Sequence, residues 1–393
     1  MANHYTYCTN IHPGETWSEV KKSLEKYIPG VKKSVSPDQE FGIGLRLSSI
    51  ASEQLLEGEN LHEFKQWLSE NNCYVFTMNG FPYGSFHDTV VKDDVHTPDW
   101  TTEDRLNYSI RLFDILAELL PANMHGGVST SPISYKYWHE NIEDVITESI
   151  PNFIKLAAHL HEIKQATGKL LHLDIEPEPD GVLENTKEVV DFFSKHLIPK
   201  GAKLLKELVD VANPESVIKE HIRVCYDVCH FAVVYEKPED VFKTFAEHGI
   251  KIGKIQVSAA LKLDIPAPGK ERELLHARLL PFAESTYLHQ VVEQYPDDSL
   301  KHYRDLSVAL NDLVTTTARE WRTHFHVPIF LSQYSELSST QEEIIETLDY
   351  LKDSNICDHY EVETYTWDVL PENIQLELSE AIIRELKWLK EKI

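Results

Sequence analysis

The run Val224-Cys225-Tyr226-Asp227-Val228-Cys229-His230 joins β-forming residues to a carboxylate and an imidazole three positions apart. In a strand, side chains alternate between faces, so Cys225 and Asp227 share one face while Val224, Tyr226 and Val228 share the other. His230 then falls just past the strand end. A carboxylate and an imidazole placed this way can converge on one cation, because oxygen and nitrogen are donors that zinc, manganese and cobalt accept. A capping aspartate followed by a loop histidine gives the same pattern, so the partners of these two residues must discriminate.

Bringing partners to such a pair requires strands that end at a common surface. Strand-like and helix-like runs alternate along the chain, which predicts a parallel sheet with helical crossovers. Strands are expected at 5–11, 41–47, 74–78, 128–130, 170–175, 224–228, 254–259 and 360–366, with helices at 17–27, 102–120, 142–167, 184–196, 202–211 and 372–390. Eight such units predict an α/β protein, a (β/α)₈ TIM barrel in a single domain over 1–393, with an insertion at about 262–322 between the seventh and eighth strands. That insertion reads as helical at 270–280 and 305–316.

Catalytic residues of a TIM barrel sit at the C-terminal ends of its strands. Polar residues fall at those predicted ends: Glu176 on the fifth, Asp227 and His230 on the sixth, Gln256 on the seventh and Glu363 on the eighth. Carboxylates projecting into a barrel need a cation or proton partner, and this set would satisfy a divalent metal. Asp174, Glu178 and Glu361 share strand faces with Glu176 and Glu363, so a ligand set offset by two residues stays open. His289, His324 and His326 read either as ligands of a second metal or as hydrogen-bond donors. His12, Asn79, Tyr83 and His87 read either as contacts to substrate hydroxyls or as loop packing, and Trp138 and Trp367 as an apolar wall or as core.

The 42% hydrophobic and 26% charged composition is that of an ordinary folded globular protein. Its 64 acidic against 38 basic residues give a formal charge of −26, which repels phosphate backbones, so nucleic acid is not an expected partner. Cysteines at positions 8, 73, 225, 229 and 357 include no Cys-x-x-Cys pair, which suggests neither a disulfide framework nor a zinc knot and fits a cytoplasmic setting. No run of 18 apolar residues occurs, so no integral membrane segment is expected.

Asp227-Val228-Cys229-His230 resembles the Asp-Thr-Cys-His or Asp-Thr-Phe-His signature of the xylose-isomerase-like TIM barrels, which include sugar isomerases, ketose epimerases and type IV apurinic endonucleases. Val362-Glu363-Thr364 is similar to that family's terminal Glu, Glu176 matches its fifth-strand Glu, and His326-Val327-Pro328 resembles its His-x-Pro loop. Gln256 stands where many members carry a metal-binding His, although a Gln can offer its carbonyl oxygen. Longer motifs, among them Asn79-Gly80-Phe81-Pro82-Tyr83-Gly84 and Glu176-Pro177-Glu178-Pro179, resemble the EboE family of metabolite-traffic proteins, which accompanies a prenyltransferase-like membrane protein.

The resemblance implies a divalent metal ion, zinc, manganese or cobalt, held by Glu176, Asp227, Gln256, Glu363, His230 and His326. It gives Glu176 and Glu363 the catalytic role of moving a proton on either face of a small polyhydroxylated metabolite, through a metal-stabilised enediolate. Substrate contacts are expected from His12, Asn79, Tyr83, His289 and His324, and a functional link to a membrane prenyltransferase-like protein follows from the same likeness. The alternative is a binding or carrier protein that keeps the barrel without the chemistry, which Gln256 and the insertion both permit. Phosphodiester hydrolysis on DNA fits poorly with the missing seventh-strand His and the acidic surface.

Overall fold

The computed structural model describes residues 3–84, 92–283, 288–334, 337–352, 354–364 and 377–393. In chain order its strands are β1 (His4–Tyr7), β2 (Phe41–Arg46), β3 (Cys73–Asn79), β4 (Gly126–Thr130), β5 (Leu171–Ile175), β6 (Ile222–Asp227), β7 (Ile252–Val257), β8 (Ala259–Asp264), β9 (Val291–Gln294), β10 (Leu300–Tyr303), β11 (Glu320–Val327), β12 (Gln333–Tyr334), β13 (Leu337–Ser339) and β14 (His359–Val362). One sheet pairs β1-β14-β7-β6-β5-β4-β3-β2, parallel throughout, and a Cys8–Gly44 bridge brings its edges together. With helices connecting the strands, this is a (β/α)₈ TIM barrel.

The helices begin and end where local chemistry directs. Thr16 and Glu19 form a capping box before Trp17–Val35, and Thr102 caps Glu103–Leu119. Asn141 caps Ile142–Thr167, which stops at Gly168 in a left-handed conformation of φ 75°. Outward-facing Leu171, Leu173 and Ile175 of β5 and Ile222, Val224 and Tyr226 of β6 are buried between sheet and helices.

The connection between β7 and β14 departs from the sequence expectation of a partly helical insertion at 262–322. A six-stranded antiparallel sheet, β10-β9-β11-β8-β13-β12, starts at Ala259 and ends at Ser339. Within 305–316 only Leu306–Ala309 is regular helix. The buried Leu306, Ala309, Leu310 and Leu313 keep helical spacing through turns, so periodicity alone overstated the element. His324 and His326 therefore lie on a strand of this sheet, not in a loop before the last helix.

Polar side chains recur at every level of the barrel interior, with Phe76 packed among them against His4 and His359. Period two sets His172, Asp174 and Glu176 in a line along β5, and His359, Glu361 and Glu363 along β14. Midway down, Lys254 Nζ is 2.6 Å from Glu361 Oε2 and 3.0 Å from Ser129 Oγ, and both members of the ion pair are fully buried. Below them His172 Nδ1 is 2.6 Å from Asp174 Oδ1. Glycine is required where the strands crowd these groups: a Cβ on Gly44 would stand 1.8 Å from Glu361 Oε1, and one on Gly253 would stand 1.8 Å from Asp174 Oδ1.

Candidate metal centre

Glu176, Asp227 and Glu363 project from the C-terminal ends of β5, β6 and β14 into one mouth, where each offers a carboxylate oxygen within 4.8 Å of the others. Asp227 is fixed through one oxygen. Its Oδ1 accepts from Ser258 Oγ at 2.7 Å and from the His230 backbone N–H at 3.0 Å, which caps the short helix Val228–Val233. Its Oδ2 and Glu176 Oε2 are buried with no hydrogen-bond partner among the described residues. Glu363 Oε1 accepts from Asn79 at 3.2 Å and Asn10 at 3.2 Å.

Burial and mutual repulsion set the electrostatics. Desolvation, then Glu363 and Asp227, push the Glu176 carboxyl well above the usual range. Asp227 and Glu363 are also raised by burial, restrained chiefly by His326. Lys254 pulls Glu176 and Glu363 downward, but its ammonium is bonded to Glu361. Three ionised carboxylates cannot share this space without protons or a further cation. The orphaned oxygens and the hard-donor set fit a divalent cation, with Gln256 on neighbouring β7 and His326 beside Asp227 and Glu363.

A second group of donors lies next to the first. His230 Nδ1 is 3.0 Å from the Pro177 carbonyl, which only accepts, so this nitrogen carries the proton of the neutral ring. His324 Nδ1 faces Gln290 Oε1 at 2.9 Å, and that amide is oriented by its own Nε2, which donates to Pro179 O at 3.1 Å. Both Nε2 atoms therefore present lone pairs, and they face each other at 3.0 Å. Burial pushes the His230 imidazole down to about 3 and, with neighbouring imidazoles, lowers His324, so a proton is poorly held between them. Glu178 offers an oxygen within 4.8 Å of a ring nitrogen of each histidine and is itself paired with His96 at 2.8 Å. A break in the pairing register of β11 between Thr323 and Val327 accompanies the turning of His324 and His326 towards the mouth.

The cavity above these groups is about 130 Å³ and has largely apolar walls, including Phe81, Pro82, Val95 and Phe325. Asn79, His289, His324 and His326 line it. His12 does not: it is stacked on Tyr27 at 4.1 Å and bonded to Tyr7 at 2.8 Å. Tyr83 packs on Tyr108 at 5.0 Å and does not line the cavity. Both are packing residues, the other reading their turn-rich positions allowed. Asp174 and Glu361 lie deeper and are committed to His172 and Lys254, so an offset ligand set is disfavoured on those two strands. Trp138 is on the surface, bonded to Asp93, while His87 and Trp367 fall outside the described residues. Sequence reasoning missed Asn10, His96 and Ser258. Only Ser258, two residues past Gln256 on the same face, left a periodicity signal.

No protein-family model matches the sequence, nor does any curated protein. Among solved structures the chain is similar to the probable 3-DHS dehydratase AsbF of Bacillus anthracis, at 12% identity over 98% of each chain with a TM-score of 0.45. It is also similar to the IolI protein with a bound zinc atom, at 11% identity over 98% of this chain and 96% of that one, TM-score 0.46. A third is the 3-keto-D-glucoside 4-epimerase YcjR of E. coli, at 12% identity over 100% of both chains, TM-score 0.44.

Proposed function

We infer that the protein binds a divalent cation, zinc, manganese or cobalt, in the barrel mouth and acts there as a sugar isomerase- or epimerase-like enzyme on a small polyhydroxylated metabolite. The observation that carries this reading is the convergence of buried Glu176, Asp227 and Glu363, two of them with an orphaned oxygen, while the ammonium nearest them on the strands, Lys254, is bonded to Glu361. When bound, such a cation polarises a substrate carbonyl and adjacent hydroxyl and stabilises the enediolate oxyanion.

The chain's own groups supply the proton transfers. Glu176 and Glu363 stand on strands separated in the sheet by β6 and β7, so their carboxyls approach a bound substrate from two sides. Their raised proton affinity suits exchange nearer neutrality than an ordinary carboxylate allows. Asn10 and Asn79 hold Glu363 in place, Ser258 holds Asp227, and the apolar walls exclude bulk water. His289 and His96 are placed to contact hydroxyls, and Glu178, His230 and His324 supply donors for a second cation. The motifs that resemble EboE-type proteins support a role in metabolite traffic linked to a membrane prenyltransferase-like protein, and the five unpaired cysteines support a cytoplasmic setting.

A carrier on the same barrel is the second reading, favoured by the inserted sheet that brings Gln290, His324 and Phe325 over the mouth. Solvent-deuterium exchange separates the two. Incubation of the metal-loaded protein in D₂O with a panel of ketoses and keto-glycosides is expected to label the carbon next to the carbonyl, and Glu176→Gln or Glu363→Gln to abolish labelling while ligand binding persists. Saturable binding with no labelling of any bound ligand contradicts the enzymatic reading and leaves the carrier.

A further inference from the structure

The opposite end of the barrel holds a second cavity, of about 410 Å³, that this chemistry does not use. It opens where β6, β7 and β14 begin. Arg223 lies four residues before Asp227 on β6, so the cavity and the mouth are roughly 13 Å apart along the strand.

Arg223 is only 7% exposed, and its Nε donates to the Glu220 carbonyl at 3.0 Å. Its two terminal nitrogens have no hydrogen-bond partner, and no carboxylate lies within ion-pair distance among the described residues. The nearby acids make their short contacts to other groups, Glu220 to Lys164 at 2.6 Å, Asp358 to His125 at 2.9 Å and Asp174 Oδ1 to His172 at 2.6 Å, and act on the guanidinium only at longer range. A guanidinium that faces a cavity without a bonded carboxylate is open to an anion from solution, and its planar fork matches a carboxylate geometrically. Lys251 adds a second positive charge at the rim. Burial and the Arg223 charge both lower its proton affinity, as expected of two cations sharing a space. Phe242, Phe245, Ile250, Ile252 and Ile356 form an apolar side of the wall, and the polar side carries Asn355 and Asp358, the latter bonded to His125.

We propose that this floor cavity binds a small organic anion, an aromatic or branched aliphatic carboxylate whose charged end docks on Arg223 and Lys251 and whose body lies against Phe242 and Phe245. The two terminal N–H groups of Arg223 give orientation, Lys251 gives long-range attraction, and the phenylalanines select against small hydrated anions. The lower rim of a TIM barrel ordinarily contributes stability, so a ligand here is expected to stabilise the fold without entering the mouth.

Calorimetric titration of the full chain with benzoate, and with benzyl alcohol as its uncharged counterpart, tests this. Benzoate is expected to bind saturably at one per chain and benzyl alcohol roughly tenfold more weakly or worse, reflecting the lost charge-assisted bonds. Arg223→Gln is expected to weaken benzoate by a similar factor. Lys251→Glu, at an exposed position, is expected to weaken it severalfold and decides the matter alone should Arg223→Gln not fold. Glu176→Gln in the mouth leaves benzoate affinity unchanged. No saturable benzoate binding, equal affinity for benzyl alcohol, or a loss on Glu176→Gln would each overturn the proposal.

Discussion

Replacing Lys254 by Met tests the buried polar column on which the mouth rests. Lys254 and Glu361 are both fully buried at an N–O distance of 2.6 Å. At an effective dielectric of about 20 their attraction is about 6 kcal/mol, most of it offset by the desolvation of two ions. Burial raises the Glu361 carboxyl and Lys254 opposes that, while Glu361 holds the ammonium strongly in its charged form, so the ionised pair is the state to consider. Removing only the lysine leaves a buried carboxylate beneath Glu363, and the expected loss is about 3–5 kcal/mol. The double variant Lys254→Met, Glu361→Gln removes both charges and is expected to return to within about 2 kcal/mol of the unaltered protein. Urea unfolding curves, analysed by midpoint and slope, give both numbers. A single-variant loss under about 1 kcal/mol, or a double variant no better than the single, would mean that Lys254 does not compensate a buried Glu361 charge.

Gly253→Ala places a methyl group 1.8 Å from Asp174 Oδ1 and 2.7 Å from His172 Nδ1, so it is expected to cost about 2–4 kcal/mol by urea unfolding. A change under about 0.5 kcal/mol would mean that β5 and β7 do not crowd as described. Glu385 is buried, accepts from Thr364 at 2.8 Å and Ile329 N–H at 3.1 Å, and has its carboxyl pushed up to about 8 by desolvation. The folded chain thus retains a proton that the unfolded chain releases above its ordinary value of 4.5. This contribution to stability is present at lower pH and falls as pH rises towards 8, by up to about 1.4 kcal/mol per unit. Glu385→Gln, which mimics the protonated acid, is expected to flatten that stretch of the pH–stability profile; parallel profiles for the two proteins would contradict the assignment.

Much of this architecture can be read from residue order. The alternation along 170–176 and 359–363 identifies both inward faces, and the Asn141 cap and Gly168 stop define the longest helix to the residue. The inserted sheet is harder to read, because its strands are short and its buried residues at 306–313 keep a helical period through turns. His96 and Glu178 meet through tertiary packing of two irregular segments, for which no local pattern exists. His12 has the composition of a ligand but stacks on Tyr27, a contact set by the first helix and not by the loop that carries it. The orphaned guanidinium of Arg223 is likewise invisible in sequence, since it depends on where Glu220, Asp174 and Asp358 direct their own bonds.

The central claim is that Glu176, Asp227 and Glu363 hold a divalent cation. Elemental analysis of the purified protein, combined with anomalous scattering from its crystals at the metal's absorption edge, addresses it directly. An anomalous peak is expected in the mouth between these three carboxylates, together with its loss in Asp227→Asn. A protein that remains free of metal after incubation with zinc, manganese and cobalt, or a peak that stays when Asp227 is replaced, would contradict the claim.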